Sequence, residues 1–140
     1  MVVTLDLQSS GGRHAESRLE QDTIAWLTTV QPTGQPDTVP VWFLWRDNVI
    51  LIYSQPHTRK LKNLAQNANV SVVLDDTDGG GDVVRIEGTA KVASDHPAAN
   101  DVPAYAEKYS RQIRRSFGTA EAFAQDYAVP LIVTPTKVHA

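Results

Sequence analysis

From Thr23 to Val138 the chain is cut into short apolar, β-branched and aromatic runs. The order in which helical stretches interrupt them restricts the fold more than any other feature. "TIAWLTTV", "DTVPVWFLWRD" and "VILIYS" read as strands, joined through "QPTGQP" and through Asp47-Asn48, both of which carry turn chemistry. "TRKLKNLAQN" then has helical spacing, and its end near Asn67 or Asn69 suits a left-handed terminal residue. "VSVVLD" and "DVVRIEGTAKVAS" follow as strands across a "DTDGGG" hairpin loop. "PAYAEKYSRQIRRSF" and "AEAFAQDY" are helical, with Tyr105, Tyr109 and Ile113 about four apart, and "VPLIVTPTKV" closes the chain as a strand. Parallel neighbours need a crossover of roughly a dozen residues or more, and most of these connections are hairpin-length. The pattern therefore predicts an α+β chain: a mainly antiparallel barrel of about six strands with helices packed outside it.

Two details inside the strands carry further expectations. Pro40 interrupts its strand and places it at an edge or a bulge, whereas Gly88 inside "RIEGTAKV" allows a bend or a close backbone approach. In "VPVWFLW", alternation puts Trp42 and Leu44 on one face and Phe43 and Trp45 on the other. Both faces are bulky and apolar. They predict a sheet covered on both sides, by the barrel core and by a second subunit.

Composition narrows the function. The 140 residues include no cysteine, which excludes disulfides, thiolate metal sites and a cysteine nucleophile. The four histidines (His14, His57, His96, His139) are scattered, so no metal site is expected. No run of about 18 apolar residues occurs, and "MVVTLDLQSSGGRHAESR" lacks the order of a signal peptide; a cytoplasmic protein without membrane association is expected. A net charge of -3 argues against bulk nucleic-acid binding. Residues 1–15 read as a loose arm before a single domain over 16–140, in which "AESRLEQD" has the spacing of a short helix.

The conspicuous local anomaly is "PHTRKLKNL". Thr58 is placed as N-cap, yet Arg59, Lys60 and Lys62 crowd the first turn, where the helix dipole is already positive. They form either a solvated face or an anion cradle, with backbone N–H groups and cationic side chains converging on one ligand. Two or three charge-assisted hydrogen bonds of roughly 1.5–3 kcal/mol outweigh dipole repulsion of at most ~1 kcal/mol per cation. Ser54, at the end of the preceding strand, could add a hydroxyl to that cradle. The basic-aromatic stretch Tyr105, Lys108, Tyr109, Arg111, Arg114, Arg115 is a solvated face beside a core stripe or the border of a pocket. No nucleophile or paired carboxylates stand out, so any difficult chemistry falls to a cofactor.

"AWLTTVQPTGQP", "PVWFLW", "YSQPHTRKLKNLAQNANVSVVLD" and "GDVVRIEGTAKV" occur in this order. Together they resemble the pyridoxamine 5′-phosphate oxidase-like, flavin- or deazaflavin-binding split β-barrel superfamily. "LWRDNVILIYSQP", "KLKNL", "GGGDVV" and "PAYAEKY" are most similar to its actinobacterial group of probable F420-dependent enzymes. The resemblance covers about residues 20–138. It implies a homodimer with cofactor sites at the subunit interface and a small-molecule substrate.

The same resemblance places Tyr53, Ser54, Arg59 and Lys60 at the cofactor phosphate, with Thr58, Lys62 and Asn63 beside them. Val39, Pro40, Val41 and Trp42 line the ring system. No catalytic side chain is implied. Val39 stands where the vitamin oxidase has an arginine, and that enzyme's C-terminal substrate motif has no counterpart, so pyridoxamine phosphate is not the expected substrate. F420, with a phosphate and an acidic tail, suits the surplus of cations, and hydride transfer to an unsaturated organic molecule is the implied reaction. FMN is the alternative cofactor. A non-catalytic module for a cofactor or tetrapyrrole is the alternative of another class.

Overall fold

The computed structural model describes residues 9–75 and 79–140. Residues 1–8 of the expected arm and 76–78 of the expected hairpin loop lie outside the described residues. Seven strands form one antiparallel sheet: β1 (Ala25–Val30), β2 (Pro36–Val41), β3 (Leu44–Arg46), β4 (Val49–Ser54), β5 (Asn69–Leu74), β6 (Arg85–Val92) and β7 (Val129–His139). Five α-helices accompany them: α1 (Ser10–Gln21), α2 (Arg59–Gln66), α3 (Pro103–Lys108), α4 (Ser110–Ser116) and α5 (Ala120–Asp126). The sheet order is β2-β1-β5-β6-β7-β4-β3.

That order explains the architecture. The edge strands β2 and β3 are consecutive in sequence, separated only by Trp42 and Phe43. A link this short spans roughly 10 Å at most, so the sheet must curl until its two edges nearly meet. The result is a half-barrel with a seam at Trp42-Phe43. The expected six or so strands come to seven among the described residues, because "DTVPVWFLWRD" is two strands on opposite edges. Pro40 does lie on an edge strand, where its missing N–H costs no ladder bond; the break itself falls two residues later.

Alternation at the seam holds as read from sequence. Phe43 and Trp45 belong to the barrel interior with Leu27, Ile50, Ile52, Val72, Ile86 and Leu131. Trp42 and Leu44 belong to a second cluster outside the sheet, with Leu51, Tyr53, Tyr105, Tyr109, Ile113 and Phe123. The expectation that a second subunit covers this outer face is corrected: the chain's own α3, α4 and α5 cover it. β4 shows why both layers are needed, since Ile50 and Ile52 face inward while Leu51 and Tyr53 face the helices.

Other local expectations can be followed to their physical causes. Asp47 and Asn48 both adopt positive φ (55° and 61°), as a two-residue hairpin turn requires. A Cβ on Gly88 would sit 2.4 Å from the Thr134 carbonyl oxygen, beside a register shift between β6 and β7. Asn67 ends α2 in an extended conformation (φ -148°), not a left-handed one, and its side chain accepts from the Asn69 N–H. The helix over "PAYAEKYSRQIRRSF" is divided at Tyr109, yet Tyr105, Tyr109 and Ile113 are all buried. α1 starts at Ser10, capped by the Ser9 hydroxyl accepting from Gly12 N–H, so residues 10–15 of the expected arm are helical. Ala15 and Leu19 bury one face of this helix in the barrel interior.

Candidate functional site

A cleft of about 400 Å³ opens at the seam. Val39, Pro40, Val41 and Trp42 form one wall, with Ile24 behind them. Tyr53 and Gln55 from the end of β4, and Lys60 from α2, close one end. Tyr105, Ser116, Phe117, Phe123 and Tyr127 bring the helical layer to the other side. Six of the ring-bearing side chains in a chain with three Trp, four Tyr and three Phe thus border one space. Among the described residues no cluster of His, Asp and Glu could hold a metal ion, and no helix is long and apolar enough to cross a membrane.

The three cations of α2 meet different fates. Lys60 is half-buried against the cleft, and burial lowers its pKa because the charged form is poorly solvated there. No carboxylate among the described residues pairs with it. Arg59 turns to β2 instead, 3.8 Å from Asp37, and stays exposed. Lys62 is exposed and outside the cleft. Thr58 holds the N-cap position with extended backbone, but its side chain accepts no N–H from the first turn. The start of α2 therefore presents backbone donors without a side-chain cap. His57, just before it, adopts φ 63°, an uncommon left-handed conformation for a residue with a side chain.

Three residues expected at the phosphate are engaged elsewhere. Ser54 is fully buried and donates to the Gln55 carbonyl at 2.8 Å, with the Thr58 hydroxyl 3.3 Å away. It shapes the β4–α2 loop. The Tyr53 hydroxyl donates to the Pro97 carbonyl at 2.7 Å, away from α2, and burial raises its pKa to about 12. Asn63 is buried and donates to the Thr29 hydroxyl and to Asp37, each at 2.9 Å. This bond, with that of Gln31 and the charge of Arg59, holds the Asp37 carboxyl below its usual range. Asn63 thus ties α2 to β1 and β2, and faces the scaffold.

Sequence reasoning offered the stretch from Tyr105 to Arg115 as a candidate pocket border, and Tyr105 does line the cleft, but it missed Phe117, Phe123 and Tyr127. Trp42 stacks on Tyr109 (ring centroids 4.8 Å, interplanar angle 5°) and on Phe123 (5.3 Å), which stacks in turn on Tyr127 (4.9 Å). Phe117 meets Trp42, Phe123 and Tyr127 edge-on. Trp42, Phe117 and Tyr127 keep part of their surface open, so the stack ends in a wall. The sequence signal was present: Phe117, Phe123 and Tyr127 follow a helical stretch already rich in tyrosine. Only the tertiary arrangement shows that they share a space with Lys60.

The seam is held by hydrogen bonds that no strand supplies. Phe43 N–H donates to the Tyr109 hydroxyl at 2.8 Å. That hydroxyl has the Thr23 carbonyl at 2.7 Å and the Phe43 carbonyl at 2.9 Å as acceptors. Lys108 Nζ donates to the Phe43 carbonyl at 2.8 Å and lies 3.9 Å from the Phe43 ring centroid. Burial lowers the Lys108 pKa to about 8, opposed by the nearby Asp22.

Comparison with known proteins places this geometry. The sequence profile of the pyridoxamine 5′-phosphate oxidase family matches residues 13–139. An F420 reductase structure is 24% identical, covers 89% of this chain and 94% of its own, and superposes with a TM-score of 0.70. An FAD-binding protein from Mesorhizobium loti is 19% identical over 90% of this chain and 88% of its own (TM-score 0.65). A conserved hypothetical protein from Mycobacterium tuberculosis is 20% identical over 99% of this chain and 88% of its own (TM-score 0.71). At these identities the likeness is one of fold. No curated protein sequence matches the chain.

Proposed function

Because this chain belongs to the pyridoxamine 5′-phosphate oxidase family, we propose that it is an oxidoreductase that holds reduced F420 in the seam cleft and serves hydride transfer to an unsaturated organic acceptor. The observation that carries the reading is Lys60: a half-buried cation with no carboxylate partner among the described residues, at one end of a cleft lined mostly by β2 and by aromatic rings. An anion bound there restores the solvation that Lys60 loses on burial, and the uncapped first turn of α2 adds N–H donors.

The fit is uneven in an informative way. Lys60 would meet the phosphate. Arg59 reaches an anion only by leaving Asp37, and exposed Lys62 suits the acidic tail that extends into solvent. Val39, Pro40 and Val41 offer an edge strand for the ring, with backbone groups not used in the β1 ladder. The bound deazaflavin would supply the hydride; the chain's residues bind, orient and exclude water. Burial raises the Tyr53 and Tyr105 pKa values, so both hydroxyls stay protonated at neutral pH.

A homodimer belongs to the same proposal. Trp26 (38% exposed), opposite Pro40 in the β1–β2 ladder, leaves apolar surface on the strand pair that carries the cleft wall, and exposed Val39 lines the cleft itself. A second copy would cover that surface and complete the pocket.

Titration with F420 and with FMN, side by side, tests the cofactor. We expect saturable binding of F420, weaker binding of FMN, and a dimer in light scattering. A protein that purifies yellow with flavin absorption reassigns the site to FMN. Tight F420 binding with no hydride delivered to enones, quinones or biliverdin makes it a storage module. No binding of either removes the cleft from consideration.

A further inference from the structure

We propose that Lys108 and Tyr109 are positioning residues that clamp the Phe43 peptide and thereby set the gap between the two edges of the half-barrel, and with it the cofactor cleft. The inference rests on the assignment of that cleft to a cofactor, but the clamp itself is a feature of the bare chain.

Within the sheet, Phe43 belongs to neither edge. The β2 ladder to β1 ends at the Val41–Ala25 pair, and the β3 ladder to β4 starts at Leu44–Leu51. Phe43 is fully buried, so its N–H and C=O need partners that the sheet does not give. The Tyr109 hydroxyl accepts from the N–H, and Lys108 Nζ donates to the C=O. Tyr109 also reaches the Thr23 carbonyl, two residues before β1, so one hydroxyl fastens the seam to the neighbouring strand. Both side chains come from the junction where α3 gives way to α4. Partly buried, with Asp22 nearby but beyond ion-pair distance, the Lys108 ammonium rests on a carbonyl oxygen and over the Phe43 ring.

The consequence reaches the site through Trp42. This residue precedes Phe43, lines the cleft and stacks on the Tyr109 ring. Its position, and that of Val39–Val41 before it, is fixed from one end by the β1 ladder and from the other by the clamp. Releasing the Phe43 peptide leaves the ring wall of the cleft anchored on one side only. The basic end, on α2, is anchored separately through Asn63. The clamp therefore governs the ring end of the cleft and leaves the anion end alone.

The test uses the full chain with Tyr109→Phe, which keeps the ring stack, and with Lys108→Met and Lys108→Arg. Amide exchange at Phe43, read by NMR without any cofactor, is expected to be slow in the parent. It should be at least tenfold faster in Tyr109→Phe and Lys108→Met, and restored in Lys108→Arg. F420 affinity should fall tenfold or more in the first two variants and recover to within threefold in Lys108→Arg. Inorganic pyrophosphate, which probes only the basic end, should bind all four proteins alike. Fast Phe43 exchange in the parent overturns the clamp. So does unchanged F420 affinity in folded variants, or a parallel loss of pyrophosphate binding, which would mark a general loss of structure. Should the parent bind no F420, the cofactor reading fails while Phe43 exchange still decides the clamp. Variants that do not fold at 25 °C are compared by exchange and binding at a lower temperature, with Tyr109→Phe, the mildest, as the deciding case.

Discussion

The two ends of the seam cleft are built on different principles. At the α2 end the chain spends charge: three cations crowd one helical turn, and only Lys60 is directed into the cleft. At the Trp42-Phe43 end it uses uncharged rings and a peptide held by side chains from 65 and 66 residues away. The first end is a local device, written within eight consecutive residues. The second exists only after the half-barrel and the helical layer have met. A cofactor with an anionic terminus and a planar ring system needs both, and the contrast predicts that changes at one end leave the other nearly untouched.

The sharpest way to break this separation is Asn63. It lies on the basic helix but serves the scaffold, donating to buried Thr29 and to Asp37. Replacing it with Ala takes the donor from the buried Thr29 hydroxyl and leaves Asp37 with Gln31 and Arg59 alone, and unfolding free energy should fall by about 2 kcal/mol. Urea unfolding measures this. If Asn63→Ala is as stable as the parent but loses cofactor affinity, Asn63 faces the ligand after all, and the α2 end is organised differently.

Next come the cations themselves, which should be unequal. Lys60→Ala should weaken F420 binding tenfold or more, about 1.4 kcal/mol. Arg59→Ala should cost two- to threefold, because Asp37 already competes for that guanidinium. Exposed Lys62→Ala should cost the least, and its effect should vanish near 0.5 M salt. Fluorescence titration at two salt concentrations orders the three. Equal losses would show that the corner acts as a diffuse field, with no special place for Lys60. Asp37→Asn sharpens the point, since freeing Arg59 should tighten F420 binding about twofold.

How much of this was legible before folding follows from the same contrast. Short strands, hairpin turns and the basic helix start are encoded by neighbours in sequence, so they were readable. Pro40 announced an edge strand, and Gly88 a close approach, because each restricts the backbone by itself. Alternation gave the two faces of Trp42–Trp45 correctly, but what covers the outer face depends on where α3–α5 dock, which no local pattern states. The family resemblance puts Tyr53 and Ser54 at the phosphate, with Asn63 beside them, by position in the chain alone. Whether a hydroxyl or amide points at solvent or at a carbonyl is decided by tertiary hydrogen bonding, and here Gln55, Pro97, Thr29 and Asp37 took them. For the Tyr105–Arg115 stretch the sequence leaves a solvated face beside a core stripe or a pocket border open, and it cannot show that Lys108 and Tyr109 meet the Phe43 peptide 65 residues away or more.

The smallest expected effect concerns the charge at the seam. Lys108 has a folded pKa of about 8 against an ordinary 10.5, because burial disfavours its ammonium form. Below pH 8 both folded and unfolded chains carry the proton, and the folded chain bears the full cost of burying it. Between pH 8 and 10.5 the unfolded chain still binds a proton that the folded chain has released, so stability rises with pH across this window. Lys60, lowered by burial as well, adds to the same slope. From pH 10 upward the buried Tyr105 and Tyr109, whose pKa values burial raises, act in the opposite sense, because the unfolded tyrosines ionise first. The usable interval is therefore pH 8–10. Since Lys108 is only partly buried, the gain should stay below about 1 kcal/mol. Urea midpoints at pH 7.5, 9 and 10 should climb in the parent and climb less in Lys108→Met, with the remainder owed to Lys60. A slope that Lys108→Met leaves intact would place the lysine in water, and the seam would then be held by Tyr109 alone.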